Sequence, residues 1–410
     1  MEPAPESERA ERDLWPSLRG LGVAASSAMS TTQEPSSARA SASPPAFAEA
    51  QLHQRAAVLR SFGGPEGFAL TALPLPIPGD HDVRVRVRAA CVQFTDTLLR
   101  KGRYPLGQRP PLVLGYDVVG EVDALGPLVS GLKVGDRVAD LTTTGSYARY
   151  RTLRADRVVR VPVGLDAAEA VSLVLSWVTA QQLLHREGRV VPGQHVLVLG
   201  AAGAVGQALL ALGQIGGLKM WGSIARPDQA QLIRALGATP LGPQPSSWRA
   251  AAPEGFDLVL DGIGERGFAD AWSLVKAGGK LVAFGFAGRT TRQASLLEMG
   301  WWLLRLKLWN AWPNGKSARF YSITGLRQRH PEWFRNDLSR LFELLRQGRI
   351  HPLVQERIGL EGIADAHRRI EAGGLQGKIV LCPWNQGPDF ATPRTSGVPS
   401  SYAQFAPRML

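Results

Sequence analysis

Only two cysteines, Cys91 and Cys382, occur in 410 residues. Two thiols so far apart supply no disulfide framework, and they cannot build a four-cysteine structural zinc loop. They read as buried apolar thiols in a reducing compartment. No uninterrupted apolar run reaches the roughly twenty residues a membrane-spanning helix needs. The N-terminus lacks the apolar centre of a secretory signal, and Glu2, Glu6, Glu8 and Glu11 are unlike a transit peptide, so a cytoplasmic location is expected. Met29 is an alternative start.

Acids are also outnumbered, 35 against 47 Lys and Arg, for a formal net charge of +12. Clustered cations would point to a polyanion, but here the arginines are scattered along the chain. In "RVRVR", residues 84–88, they alternate with Val83, Val85 and Val87, the pattern of a strand with one wet face. Nucleic acid is therefore not the expected partner.

With 44% hydrophobic residues the chain can fill a sizeable core, and its length suggests two or three domains. The stretch "SSARASASPPAFAEA" and the tail after Trp384 have no apolar period, so residues 1–50 and 387–410 are expected to be disordered. From about Gln54 to Asp166, short alternating strands are broken by turns such as "PIPGDHD" and "VSGLKVGDRV", which predicts a β-rich unit. From about Ala170 to Ala287, apolar strands ("HVLVLG", "DLVLD", "GKLVAFGF") alternate with helical spacing ("GQALLALGQIG", "PDQAQLIRALGA"). That alternation predicts a parallel sheet covered by helices, so the fold class is α/β.

The segment "VLVLGAAGAVG", residues 196–206, places small residues between a buried strand and a helix beginning near Ala204. In this context a bare main chain suits a dinucleotide: Gly203 lets a pyrophosphate approach, Gly206 lets the helix lie on the strand, and the first helical N–H groups favour an anion. The first glycine of the usual fingerprint is replaced by Ala201, giving A-x-G-x-x-G. Ala202, Gly203, Ala204, Val205 and Gly206 are the expected cofactor contacts. About twenty residues on, where an NAD enzyme carries an acid, stands Ser223, followed by Arg226. A hydroxyl and a guanidinium suit a 2′-phosphate, so NADPH is the expected cofactor.

The joint order of "GYDVVGEV", "GDRV", "GSYARY", "GAAGAVG" and "GKIVL" resembles the medium-chain dehydrogenase/reductase superfamily, specifically its zinc-free quinone oxidoreductase branch, from about Arg55 to Pro383. The resemblance implies a GroES-like catalytic domain (51–171), a Rossmann domain binding NADPH (172–292), and a last segment (293–386) returning to the catalytic domain. The active site then lies in the cleft between them. Where zinc relatives hold their metal, this chain has Gln93, Tyr116 and, near the third position, Leu175, so no zinc is expected.

Without a Lewis acid, reduction of an acceptor whose conjugation already spreads charge is the easier chemistry, which points to a quinone or an α,β-unsaturated carbonyl. The stretch "QFTDTLLRKGRYP" resembles the family's catalytic motif. It implies an amide donor at Gln93, a loop-orienting carboxylate at Asp96 and a phenol at Tyr104, though Tyr104 also reads as a buried structural tyrosine. Leu98 stands where relatives carry a second tyrosine. The resemblance further places Thr179, Gly262, Ile263, Phe284, Gly285, Phe286 and Lys378 beside the cofactor. Where several relatives bind the 2′-phosphate with lysine and tyrosine, this chain offers Gln229 and Gln244.

Residues 296–313, "LLEMGWWLLRLKLWNAWP", hold four of the eleven tryptophans with Arg305 and Lys307 among leucines. Core or subunit packing, a wall for a bulky substrate, and peripheral membrane contact all fit. A homodimer is expected. A second functional class stays open: a nucleotide-binding protein acting mainly through RNA or a membrane surface, with little turnover.

Overall fold

The computed structural model describes residues 52–104, 108–264, 268–285 and 296–385, with only the backbone described for 296–299. The expected disordered ends and Phe286 lie outside these residues.

The first part of the chain is β-rich: β1 (His53–Leu59), β2 (Phe68–Pro74), β3 (Asp82–Cys91), β4 (Leu112–Val113), β5 (Asp117–Leu125), β6 (Arg137–Leu141), β7 (Tyr150–Arg154) and β8 (Val159–Arg160). A three-stranded sheet has the order β2-β1-β4. The alternation in "RVRVR" is realised in β3, where Val83, Val85 and Val87 are fully buried. The arginine face is less wet than expected. Arg84 pairs with Asp123 and Arg88 with Glu121, both at 2.6 Å on the neighbouring β5, while Arg86 lies 4.1 Å from the Trp384 ring centre.

The middle of the chain supplies β9 (His195–Leu199), β10 (Lys219–Ser223), β11 (Thr239–Leu241), β12 (Phe256–Asp261), β13 (Val275–Ala283) and β14 (Ser317–Phe320). All pair in parallel in the order β11-β10-β9-β12-β13-β14. The apolar runs of the central strands β9, β12 and β13 are buried on both faces, as parallel strands under helices must be, while the edge strands β11 and β14 are partly exposed. Chain order reverses between β9 and β12, and ligands of such sheets bind at that crevice, beyond the carboxyl ends of the strands.

The expected start of the return segment, 293, falls too early: β14 is still the sixth strand of this sheet. The helix Leu296–Ala311 packs its buried Trp302 and Leu306 into the same cluster as Leu281 and Ala318. The return comes with β15 (Val354–Ile358) and β16 (Lys378–Leu381), which extend the catalytic sheet as β15-β16-β3-β5-β6-β8, with β7 also on β3. Val380 and Leu381 pair with Cys91 and Ala90, so β16 lies beside the end of β3 that leads into the catalytic motif.

Candidate active site

In the nucleotide turn the left-handed residue is Gly200, at φ 81°, and not position 201 as the fingerprint alignment suggests. Ala201 is fully buried, and a side chain on Gly222 would come within 2.6 Å of its methyl, so it serves packing. A Cβ on Gly206 would lie 2.5 Å from the carbonyls of both Gly200 and Ala201, which forbids any larger residue there. Gly203 differs: it is exposed, and a Cβ would approach only Gly200 O, at 3.3 Å.

No side chain caps the helix Ala204–Ile215 that follows Gly203. Its first N–H groups are therefore presented to an anion. Ala202 and Val205 are half-buried and Ala204 is exposed. A Cβ on Gly200 would be 3.3 Å from Ile263, one on Gly262 would be 2.8 Å from Phe284, and one on Gly285 would be 2.7 Å from Gly262 O. The loops after β9, β12 and β13 thus close on each other at the crevice. Asp261 holds the middle loop by accepting from Ile263 N at 2.8 Å and Gly264 N at 2.9 Å.

Ser223 faces into the turn. It is buried, and its Oγ accepts from Gly200 N at 3.1 Å. Arg226 is exposed and paired with Asp228 at 3.1 Å, with Gly374 close to its guanidinium. Gln229 accepts from Ala225 N at 2.9 Å and Arg226 N at 3.2 Å, so it braces the arginine backbone. Gln207 donates to Gln376 O at 2.7 Å and ties the turn to the segment that enters β16.

Gln93 ends β3's exit and starts the helix Phe94–Arg100, where Asp96 accepts from Gln93 N at 2.9 Å and closes the first turn. Asp96 also accepts from Tyr147 OH at 2.9 Å. Both polar atoms of the Gln93 side chain are engaged: its Nε2 donates to Asp117 Oδ2 at 2.6 Å, and its Oε1 accepts from Lys378 Nζ at 2.7 Å. Cys91 N donates to the second Asp117 oxygen at 2.7 Å. Burial pushes Asp96 up to about 7 and Asp117 up to about 6, with the Lys378 ammonium pulling Asp117 back down.

Lys378, expected at the cofactor, sits 8% exposed inside this amide–carboxylate cluster. The pairing of Asp117 with Gln93 and Lys378 is not legible in the sequence. Its one signal is the carboxylate directly after Tyr116 in "GYDVVG".

The hydroxyls of Tyr104 and Tyr116 lie 3.1 Å apart with their rings edge to face, Tyr104 half-buried and Tyr116 buried. Burial raises both phenols above their ordinary value, Tyr116 further. Thr179 is buried close to Tyr321, whose OH donates to Gln182 Oε1 at 2.8 Å. Gln182 donates in turn to Asp337 at 3.0 Å, and Arg186 to the other Asp337 oxygen at 2.9 Å. Cys91 is buried, its thiol raised by burial; Cys382 is only half-buried, contrary to expectation.

These residues do not fit zinc. Gln93 has both amide atoms engaged, one by an ammonium that would repel a second cation, while Tyr116 is a raised phenol and Leu175 has no donor. Among the described residues no three His, Cys, Asp or Glu side chains come together as a metal site.

Comparison with known proteins agrees with this geometry. Residues 79–163 match the model of the alcohol dehydrogenase GroES-like domain, and residues 242–381 match that of the zinc-binding dehydrogenases. The chain is 30% identical to the rat (Rattus norvegicus) synaptic vesicle membrane protein VAT-1 homolog over 353 residues, covering 82% of this chain and 85% of the relative. It is 28% identical to human quinone oxidoreductase over 346 residues, 82% of this chain and 99% of the relative. A mycobacterial protein solved in complex with NADPH superimposes with a TM-score of 0.70 at 27% identity, covering 80% of this chain and all, 100%, of that one. The chain is an oxidoreductase belonging to the medium-chain dehydrogenase/reductase superfamily, in its zinc-free quinone oxidoreductase-like branch.

Proposed function

We propose that the protein reduces a conjugated carbonyl acceptor, a quinone or an α,β-unsaturated carbonyl, at the expense of NADPH and without a metal. NADPH, when bound, supplies the hydride. Gly203 and the helix start at Ala204–Gly206 would hold its pyrophosphate, and Arg226 its 2′-phosphate once released from Asp228. Gly262, Ile263, Phe284 and Gly285 would line the crevice, with Thr179 near the reacting ring. The name of the human relative supports the quinone reading.

The observation that carries this proposal is the Tyr104–Tyr116 hydroxyl pair beside a locked Gln93–Asp117–Lys378 cluster. A phenol raised by burial stays protonated at neutral pH, so Tyr104 can donate a hydrogen bond to an oxygen on which charge develops. With its own proton so used, the Tyr104 oxygen can accept from Tyr116 OH, 3.1 Å away. A conjugated acceptor needs no more than that, because it spreads the added charge itself, whereas an isolated ketone would need a stronger electrophile. Gln93 and Lys378 act by fixing the loop that leads to Tyr104.

The test is a panel of para-quinones, simple enones and unconjugated ketones with NADPH, followed by loss of reduced cofactor. Turnover with the conjugated members and none with the ketones is expected. Ketone turnover equal to quinone turnover would remove the argument from conjugation. If no acceptor is reduced while the protein still binds NADPH, the reading of a nucleotide-binding protein with little turnover replaces it.

A further inference from the structure

The helix Leu296–Ala311 is buried along one side only. Trp302 and Leu306 enter the core, and Trp309 stacks on Trp272 with ring centres 5.0 Å apart and planes 2° from parallel. On the other side Trp301 is 56% exposed, Leu304 46% and Leu308 52%, and Trp312 just past the helix is 70% exposed. At about 100° per residue, the three helical positions span only about 60°; Arg305 lies about 40° beyond one edge of this stripe and Lys307 about 60° beyond the other. Isolated exposed apolar residues are ordinary; a stripe of two tryptophans and two leucines bordered by cations is not.

The stripe runs into one hollow, and a second is connected to it through Lys316 and Trp272. The first, of about 340 Å³, is lined by Leu308, Trp309, Trp312, Trp272 and Asn314. The second, of about 210 Å³, is polar and lined by Arg249, Lys276, Lys316 and Glu254, among others. Lys316 links them, its ammonium 5.6 Å from the Trp272 ring centre. Lys276 is paired with Asp257 at 2.7 Å and Arg249 donates to Ser273, but Arg249 and Lys316 repel each other, and burial and that repulsion lower Lys316 below its ordinary value. An anion in this hollow would relieve the repulsion.

A second copy of the chain extending the sheet is disfavoured here. The side-chain amide of Asn310 both donates to Ala318 O and accepts from Ala318 N, each at 2.6 Å, and so closes that residue's outward main-chain groups on β14.

From this juxtaposition we infer that the helix Leu296–Ala311 is an interfacial membrane anchor. Trp301, Leu304, Leu308 and Trp312 enter the headgroup–acyl boundary of an anionic bilayer, and Arg249 and Lys316 take a lipid phosphate. Among the described residues no helix is long and apolar enough to cross a membrane, so the contact is peripheral. Apolar entry plus attraction to anionic headgroups is what such a helix requires. The inference stands apart from the choice of hydride acceptor.

The test is co-sedimentation of the full chain with vesicles of phosphatidylcholine alone or with added phosphatidylserine. Binding is expected to the anionic vesicles, at least tenfold weaker to the neutral ones, and weakened by salt. The double variants Leu304→Glu/Leu308→Glu and Arg249→Glu/Lys316→Glu should each lose at least tenfold in partitioning while keeping wild-type NADPH binding, which verifies their folding. Wild-type protein that ignores anionic vesicles would overturn the inference. So would Leu304→Glu/Leu308→Glu turning a dimer into a monomer without changing vesicle binding, since the stripe would then be covered by a second copy.

Discussion

Lys378 reaches across from β16 to place its ammonium 2.7 Å from Gln93 Oε1, although 285 residues separate them in the chain. The last strand of the catalytic sheet thereby sets the first residue of the catalytic motif. Gln93 passes the constraint to the fully buried Asp117. Removing the cation leaves that carboxylate without its nearby counter-charge. Lys378→Met should therefore cost about 3 kcal/mol in denaturant unfolding. Adding Asp117→Asn should recover more than half of this, because the amide needs no counter-charge. Strictly additive losses in the double variant would show that the two groups are not coupled.

The two phenols should separate kinetically. Tyr104→Phe removes the hydroxyl proposed to donate to the acceptor and is expected to lower kcat/KM for quinone by about a hundredfold. Tyr116→Phe removes only the group that supports Tyr104, so roughly a tenfold loss, mostly in kcat, is expected. Equal activity of wild type and Tyr104→Phe would assign Tyr104 to packing.

Arg226 tests the cofactor preference. In Arg226→Glu, the introduced carboxylate and that of Asp228 would both meet the 2′-phosphate, and KM for NADPH should rise more than tenfold while that for NADH changes little. Parallel losses with both cofactors would place the arginine elsewhere in binding.

His367 offers a stability measurement. It is fully buried between Phe68 and Tyr147, neither ring nitrogen has a hydrogen-bond partner, and burial followed by the charge of Arg100 lowers it from 6.5 to about 3. The folded state keeps the ring neutral while the unfolded chain takes up a proton below 6.5, so the unfolded state binds more protons across this window. Stability contributed by the neutral ring is thus complete above 6.5 and lost as pH falls toward 3. At pH 5 the loss is about 2 kcal/mol. Asp96 and Asp117, raised by burial, act in the opposite direction, so the comparison must be made within one variant pair. His367→Phe should be relatively more stable at pH 5 than at pH 8 by about that amount; an unchanged difference between the two pH values would contradict the assignment.

The sequence discloses what is periodic or local. The apolar run before Gly200, the small residues after it and the alternation in β3 each have one physical reading, and the parallel sheet follows from them. Long-range side-chain pairing is not legible. Lys378 reads as a cofactor contact until β16 is seen beside β3, and Ser223 as a 2′-phosphate contact until its hydroxyl is found accepting from Gly200 N. The sixth strand escapes notice because β14 is four residues long and follows a tryptophan-rich helix whose apolar residues suggest many environments. At Ala201 the fingerprint alignment is off by one residue in role, since a glycine one place earlier takes the left-handed turn.

The central claim is metal-free hydride transfer from NADPH to a conjugated acceptor, and it is tested most directly by the steady-state rate of NADPH oxidation with a para-quinone before and after exhaustive treatment with a strong chelator. The account predicts the same rate in both samples. A rate that collapses on chelation and returns when zinc is added back would contradict it.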